Sequence, residues 1–522
     1  MQTRRLSLLA LISGICIGFS YIPFYAVLGL FALVPLFLGL DEAKNLKQVF
    51  KFSWISQFIL SLIGFHWVAT TAHDFGYMPW WLSIIVLLIF CSLMHIHFCI
   101  AFMIWFKIKN KFTLNQMQSD LVKVICLFTL ETYWPMLFPW NFGYTWMTSA
   151  FPIAQTAEIW GFTGLSFLSI LANAFVKQIY HARQNKDSSY AQKIIIGFMA
   201  SIFSLSLLGY ALKESVPSYD KKWRVGVVQA NIGNFDKVQA EHGYDFQRAI
   251  VDKYLDLTKE LIEKNSPLDL IIWPETAIPV SYTEASKNSH LFRKIQLLIN
   301  QKKIPLLAGS FFKDHALYNG AGLWLPKIGL STKYHKTMLL AFGETVPFTE
   351  NFPEVQNFIK KTVPAISFFG KGSGSIPMEF EQTKMGVNIC YEGIHPNFVI
   401  DLKNKGAQFF INLTNDSWFG TTFEPYQHLY MTLARSIEHR IPSVRSTNTG
   451  ISTAITAKGE ILERSPLHQE WTGAFEIEGH TNPPKTIYQM IGKFIVLFAI
   501  LFSLFLIFLF RRNATKLNEQ EK

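Results

Sequence analysis

Lys384-Met-Gly-Val-Asn-Ile-Cys390-Tyr391-Glu392 is an apolar segment that ends in a cysteine and an acid. Its pattern predicts a short strand over 385–389, with the cysteine at the turn that follows. Cys390 is the only cysteine outside the apolar runs that hydropathy assigns to a membrane. A lone thiol at a strand end is a candidate nucleophile.

The composition of the chain indicates a membrane protein with one soluble domain. Half of the 522 residues are hydrophobic, 16% are charged, and the mean hydropathy is +0.21. The net charge of +11 does not indicate nucleic-acid binding, because most basic residues near the apolar runs flank them, as membrane topology requires. One cysteine in the soluble region excludes a disulfide within it, so the redox compartment cannot be deduced from cysteine pairing.

Eight apolar runs are long enough to cross a bilayer, at about 6–20, 22–40, 52–71, 80–106, 121–138, 160–180, 193–212 and 490–510. We therefore predict a polytopic helical membrane domain over 1–212 with seven spans, and a soluble domain over 220–482. A last span over 490–510 and a tail over 511–522 follow.

Basic residues alternate between the loops that connect these runs. The segments before the first run and after the second, fourth, sixth and eighth runs are rich in Lys and Arg. Lys123 and Lys177 are counted among these basic residues. The connections 72–79 and 139–159 carry neither residue type. By the positive-inside rule, both termini are predicted to be cytoplasmic and the soluble domain to lie on the far side, the periplasm of a Gram-negative cell.

The soluble region alternates predicted strands and helices, with several antiparallel neighbours, which favours a layered α/β sandwich. Residues 345–384 interrupt this order and are long for a connection in a compact domain. The phenylalanines in this loop suggest either a lid that contacts lipid or ordinary packing of the loop on its own domain.

Three polar residues stand where predicted strands end: Glu275, Lys336 and Cys390. A free thiol is only slightly ionised at neutral pH, so it needs a base to become a nucleophile. A carboxylate can take its proton, and a lysine ammonium can stabilise the oxyanion that forms when the thiolate attacks a carbonyl. The order Glu, Lys, Cys in one α/β domain predicts a thioester-forming site.

The soluble region resembles the nitrilase, or carbon-nitrogen hydrolase, superfamily, and the whole chain resembles its integral membrane members, the apolipoprotein N-acyltransferase family. The segments that carry the resemblance are Trp273–Pro279, Lys336 with Phe342–Pro347, Cys390–Glu392, Asn412–Gly420 and Arg445–Ser452. The chain departs from the family at Met338-Leu-Leu-Ala341, where members commonly carry His-Leu-Val-Pro. This change removes a proline beside Lys336 and none of the three reactive residues.

The resemblance implies an α-β-β-α sandwich with a Glu-Lys-Cys triad. Glu275 would be the general base, Lys336 the oxyanion stabiliser and Cys390 the nucleophile. Supporting or substrate-binding roles would fall to Glu344, Tyr391, Glu392 and Trp418, with Glu344 orienting Lys336 and the Cys390 neighbours shaping the acceptor side.

The implied reaction moves a fatty acyl chain from a phospholipid, usually phosphatidylethanolamine, to Cys390. The acyl chain then passes to the α-amino group of an N-terminal diacylglyceryl-cysteine. No cofactor and no metal are expected, and four histidines in the apolar region (His66, His73, His95 and His97) do not form a metal-ligand pattern. The implied setting is a monomer in the bacterial inner membrane.

Two other interpretations stay open. A membrane-tethered amidase would share the fold and release a free acid instead of an acylated amine. A non-catalytic transporter or lipid-binding scaffold would have no use for the intact triad, so full function after Cys390→Ser would support it.

Overall fold

The computed structural model describes residues 2–148, 151–233, 243–349, 352–362 and 366–520. The chain forms two compact units. The helical unit comprises Met1–Ala69, Trp81–Ser215 and Thr486–Lys522, and the sandwich unit comprises Thr70–Trp80 and Val216–Lys485. The segment Thr70–Trp80, which the sequence assigns to the membrane domain, therefore packs with the sandwich unit.

The helical unit is built from α-helices joined by short 3₁₀ turns. Its helices, with Trp67–Asp74 running into the sandwich unit, are Gln2–Ser20, Val34–Asp41, Leu46–Gly64, Trp67–Asp74, Trp80–Leu93, His97–Lys111, Gln116–Tyr133, Tyr144–Thr148, Ala157–Gln184, Ser188–Glu214, Ile487–Ile491 and Ile495–Gln520. Within the described residues, five helical segments are long and apolar enough to cross a membrane. The pair Leu46–Gly64 and Trp67–Asp74, bent by 56°, makes six if it is one span.

The other two predicted spans are also helical but less suited to lipid. Ala26–Asp41 is shorter, and Gln116–Tyr133 carries three charged residues. The last helix continues to Gln520, through most of the predicted tail, whose final two residues lie outside the described residues. Several apolar helices are thus present, and the count of eight spans stays a prediction.

A buried ionic cluster joins three helices of this unit. Lys123 contacts Asp41 and Asp120, and Lys177 contacts the same two carboxylates. Both ammonium groups are fully buried, and two positive charges balance two negative ones, as burial of ions requires. Lys123 and Lys177 are counted above among the loop residues that indicate topology. In the structure, both are paired inside the helical unit.

Within the described residues, the sandwich unit contains two six-stranded sheets. The first has the order β12-β1-β2-β3-β4-β5 and the second the order β11-β10-β9-β8-β7-β6. The strands are β1 Lys221–Gln229, β2 Leu270–Tyr282, β3 Leu306–Lys313, β4 Leu317–Leu325, β5 Gly329–His335, β6 Met378–Phe380, β7 Thr383–Ile389, β8 Phe409–Thr414, β9 Ser443–Thr447, β10 Thr453–Ile455, β11 Ile461–Arg464 and β12 Trp471–Gly479.

Side-chain alternation along the strands builds the layers. Val227 and Ile272 join one core with Val387 and Ile411 of the second sheet. Their strand neighbours Val228, Ile271 and Trp273 join a second core with the helices Tyr244–Asn265 and His290–Lys302. The helices Pro396–Asn404 and Glu424–His439 connect successive strands of the second sheet. The helix Pro353–Thr362 lies in the long loop 345–384. The α/β sandwich prediction is confirmed.

A wide bulge in β2 displaces Glu275 from regular pairing. Trp273 pairs with Ala308 and Ile278 with Ser310, so residues 274–277 of β2 face only Gly309 of β3. A Cβ atom on Gly309 would lie 2.5 Å from the Pro274 carbonyl oxygen and 2.6 Å from Glu275 Cα. The bulge therefore requires glycine at position 309.

We predict that Gly309→Ala destabilises the protein by about 1–3 kcal/mol, because the added methyl group overlaps backbone atoms that cannot rotate away. The thermal unfolding midpoint of the full chain in detergent, followed by circular dichroism, measures this loss. Gly197→Ala is the control, since outside the backbone of its own helix no atom of the described residues lies within 4 Å of the Cβ that it adds. Equal midpoints for the two variants would contradict the prediction.

Candidate active site

Lys336 lies between two carboxylates inside the sandwich unit. Its side chain is 2% exposed, and Nζ lies 3.1 Å from Glu275 Oε1 and 2.9 Å from Glu344 Oε2. Burial alone would lower the pKa of Lys336, but the two carboxylates outweigh burial and raise it well above its ordinary value. Lys336 is therefore a fixed cation, and the three side chains together carry one excess negative charge.

Asn319 completes this cluster, and the sequence analysis missed it. Its side-chain Nδ2 donates to Glu275 Oε1 and to Glu344 Oε1, at 2.7 Å each. Its main-chain carbonyl accepts from the Lys336 main-chain N–H at 2.8 Å. Asn319 lies on β4, whose other buried residues are mostly apolar or small. A polar residue in such a strand is the signal that could have identified it.

Cys390 follows the β7 strand directly and begins the 3₁₀ turn Cys390–Ile394. Its φ of +50° lies in the left-handed region, which non-glycine residues rarely adopt. Burial raises the pKa of the thiol, Glu275 raises it further, and Lys336 opposes both. The thiol is thus protonated at neutral pH and lies within electrostatic reach of the other two predicted triad residues.

Glu392 connects the Cys390 turn to the Lys336 loop. Its Oε2 accepts from Ile389 N at 2.8 Å, and its Oε1 accepts from Tyr334 Oη at 2.7 Å and Met338 N at 3.1 Å. Burial raises the pKa of Glu392 to about 7. These bonds fix the end of β7, next to Cys390, relative to the loop that carries Lys336. The expected acceptor-side role of Glu392 stays a prediction.

The remaining predicted residues surround this centre. The Glu344 Oε2 also accepts from Leu340 N at 2.8 Å, which closes the loop after Lys336. Tyr391 is half-buried and packs edge-on against His395, with ring centroids 4.4 Å apart. Burial raises the pKa of Tyr391 to about 12.

Trp418 connects this loop to the segment Thr70–Trp80. Its ring stacks on Phe75 with centroids 3.3 Å apart, and a Cβ atom on Gly343 would lie 3.2 Å from it. Gly343 immediately precedes Glu344, so Trp418 covers the main chain that carries the second carboxylate. The structure thus places every predicted site residue in the sandwich unit.

Comparisons with known proteins identify relatives of both parts of the chain. The family model described as carbon-nitrogen hydrolase matches residues 224–478, and the one described as apolipoprotein N-acyltransferase N-terminal domain matches residues 13–175. The chain is similar to the apolipoprotein N-acyltransferase of Bdellovibrio bacteriovorus, with 40% identity over 92% of this chain and 90% of that protein.

More distant relatives match as well. The apolipoprotein N-acyltransferase of Geobacter metallireducens is 29% identical over 90% of this chain and 88% of that protein. A crystal structure of a carbon-nitrogen hydrolase from Helicobacter pylori G27 matches with a TM-score of 0.36 and 16% identity, over 49% of this chain and 89% of that chain.

We predict that Glu275→Gln shifts the alkylation of Cys390 to lower pH, because removing a nearby negative charge lowers the pKa of the thiol. Glu344→Gln is the matched control. It also removes one carboxylate from Lys336, but burial, Glu275 and Lys336 dominate the pKa of the thiol. The maleimide labelling rate of the Cys390 peptide, measured against pH by mass spectrometry, gives the shift. A larger shift in Glu344→Gln would contradict this electrostatic assignment.

Proposed function

Because this chain belongs to the apolipoprotein N-acyltransferase family, we propose that it N-acylates lipoproteins through a thioester on Cys390. The acyl group would come from a membrane phospholipid, which the resemblance to the family implies is phosphatidylethanolamine, and would pass to the α-amino group of a diacylglyceryl-cysteine. The single observation that carries the proposal is the buried Glu275–Lys336–Glu344 cluster, whose charges act on the Cys390 thiol.

The first half-reaction forms the thioester. Glu275 takes the thiol proton as Cys390 sulfur attacks the ester carbonyl of the phospholipid, and the oxyanion that forms is stabilised by Lys336. The C–O bond then breaks, and the lysophospholipid leaves as an alcohol with the proton from Glu275. Because Glu344 already balances the Lys336 charge, Glu275 is available as the base.

The second half-reaction releases Cys390. The neutral α-amine of the lipoprotein attacks the thioester carbonyl, Lys336 again stabilises the oxyanion, and Glu275 receives a proton from the amine. The C–S bond breaks, the proton returns to the sulfur, and an amide is formed. The cycle is a ping-pong transfer that consumes no cofactor and uses no metal.

The topology proposal follows the charge pattern of the loops. We place the protein in the bacterial inner membrane as a monomer, with the sandwich unit in the periplasm and both termini in the cytoplasm. On that side of the membrane, the phospholipid and the lipoprotein N-terminus lie in the same leaflet. The domain bounds 1–212, 220–482 and 490–510 belong to this proposal.

Several apolar side chains of the long loop point to a lipid-facing lid. Phe348 is 89% exposed and Phe352 is 58% exposed, and both precede the short helix Pro353–Thr362. Exposed rings at this density favour contact with acyl chains over packing of the loop on its own domain. Such a lid would also exclude water from the thioester.

The main test detects the intermediate. After incubation with phospholipid and without acceptor, intact-protein and peptide mass spectrometry should find one acyl adduct on Cys390 that hydroxylamine removes. Glu275→Gln should reduce its formation by about 10²–10⁴-fold, the usual share of a general base. The other four cysteines serve as internal controls.

Three outcomes would contradict this assignment. An adduct on another residue, or no adduct during turnover, would refute the thioester. Free fatty acid instead of acylated amine, in the presence of acceptor, would favour the amidase interpretation.

We predict that Phe348→Ser with Phe352→Ser slows transfer from phospholipid in vesicles at least tenfold, because each phenyl ring that enters lipid gains up to about 1.5–3 kcal/mol from apolar burial, and a serine does not. Phe246→Ser is the matched control, an exposed phenylalanine on the helix Tyr244–Asn265. Transfer from detergent-dispersed phospholipid should be less affected. Equal loss with both donor forms would contradict a lipid-contacting lid.

A further inference from the structure

Behind Cys390, four buried ionisable side chains that the proposed chemistry does not use lie together in the sandwich unit. They are Asp416, Glu424, His428 and Arg445, with exposures of 1%, 0%, 2% and 0%. Glu424 and His428 share one face of the helix Glu424–His439, four residues apart. Arg445 comes from β9, and Asp416 begins the 3₁₀ turn Asp416–Phe419.

His428 contacts an acceptor with each ring nitrogen. Nδ1 lies 3.0 Å from Asp416 Oδ1, and Nε2 lies 3.4 Å from the Cys390 carbonyl oxygen. A carbonyl cannot donate, and Arg445, with Nη2 at 2.8 Å from Asp416 Oδ2, keeps the pKa of Asp416 low against the effect of burial. Both ring nitrogens must therefore carry hydrogen if both contacts are hydrogen bonds.

Glu424 supplies the charge that an imidazolium at His428 requires. Its Oε1 lies 3.9 Å from His428 Nδ1, and neither carboxylate oxygen has a hydrogen-bond partner in the described part of the chain. With Glu424 and Asp416 ionised, two negative charges balance Arg445 and the His428 imidazolium. The group is then neutral in a site from which water is excluded.

The contacts of the His428 ring determine whether the proton lies on His428 or on Glu424. Burial lowers the pKa of His428 and raises that of Glu424, which by itself would leave the proton on the carboxyl group. A neutral ring, however, would direct a lone pair at either the Asp416 carboxylate or the Cys390 carbonyl. The imidazolium avoids both repulsive contacts and gives Glu424 its nearest cation.

A divalent cation is a poorer occupant of the same place. The ligand atoms of Asp416, Glu424 and His428 lie within 4.8 Å of one another, as a metal site would need. Arg445 already pairs with the Asp416 carboxylate. A divalent ion beside a neutral His428 would leave one uncompensated positive charge in the buried group.

The group controls the main chain of the nucleophile. The Cys390 carbonyl receives two donors, His428 Nε2 and Asn412 Nδ2 at 3.2 Å. Arg445 orients both, since it donates to Asn412 Oδ1 at 2.6 Å and to the Asp416 carboxylate that contacts His428. This clamp holds Cys390 at its unfavourable positive φ and so determines where the thiol points.

We propose that Glu424 is a positioning residue that keeps His428 doubly protonated, so that His428 clamps the Cys390 carbonyl. The role of Cys390 as nucleophile rests on the proposed function. The protonation state of His428 does not, and can be tested separately.

The first experiment reads the proton directly. Solid-state NMR of the full-length protein labelled with ¹⁵N-histidine, assigned with His428→Gln, should show both His428 nitrogens protonated at neutral pH. In Glu424→Gln, one of them should become unprotonated. An unprotonated nitrogen in the wild-type protein, or an unchanged signal in Glu424→Gln, overturns the proposal, and so does a stoichiometric metal that Glu424→Gln loses.

The second experiment reads the nucleophile. Glu424→Gln should lower kcat by on the order of tenfold to a hundredfold with little change in KM, since misplacing a reacting atom affects the chemical step. Glu424→Asp should restore part of the rate. A changed KM together with a normal kcat would overturn the proposal.

Glu438→Gln is the control for a purely structural effect. Glu438 is also fully buried on the same helix, and it pairs with Arg435 at 3.0 Å instead of contacting the clamp. It should reduce thermal stability and leave the His428 signals unchanged. If Cys390 proves not to be acylated, the NMR result still decides the state of His428, so the two failures are distinguishable.

Discussion

A lysine ammonium removed from water cannot remain charged without partners, and the centre of the sandwich unit is arranged around this constraint at Lys336. Its partners come from separate elements: Glu275 from β2, Asn319 from β4 and Glu344 from the loop after β5. The bulge opposite Gly309 exists because Glu275 must leave the regular strand to reach this charge. Two carboxylates around one cation leave a surplus negative charge, which is what a proton acceptor requires.

Cys390, the proposed nucleophile, follows strand β7 of the other sheet, so the two halves of the sandwich have to be held in register. Glu392 does this with one carboxylate that accepts from the Lys336 loop and from the end of β7. On its other side, the Cys390 carbonyl is held by Asn412 and His428. The main chain of Cys390 is therefore held from both directions by buried polar groups, which fix geometry more strictly than apolar packing does.

The sequence predicted the elements of the sandwich well, because strands of period two and amphipathic helices show their burial directly. Glu275, Lys336 and Cys390 were proposed because each follows an apolar run in a motif, although β2 continues past Glu275 to Tyr282. Asn319 and Glu424 were not predicted, because the contacts of a buried polar group depend on the tertiary structure and leave no local sequence pattern. The same limit explains Lys123 and Lys177, whose partners Asp41 and Asp120 are far from one another in sequence. The bend between Leu46–Gly64 and Trp67–Asp74 also left no composition signal.

The stacking of Phe75 on Trp418 has a consequence for modularity. A segment that lies between two apolar helices in sequence, Thr70–Trp80, packs as part of the sandwich unit. The chain therefore cannot be divided by sequence alone into a membrane half and a soluble half. An excised 216–485 fragment would leave one face of Trp418 bare, and a chimera of two relatives would have to exchange 70–80 together with the soluble region. The unit that evolution can exchange is discontinuous.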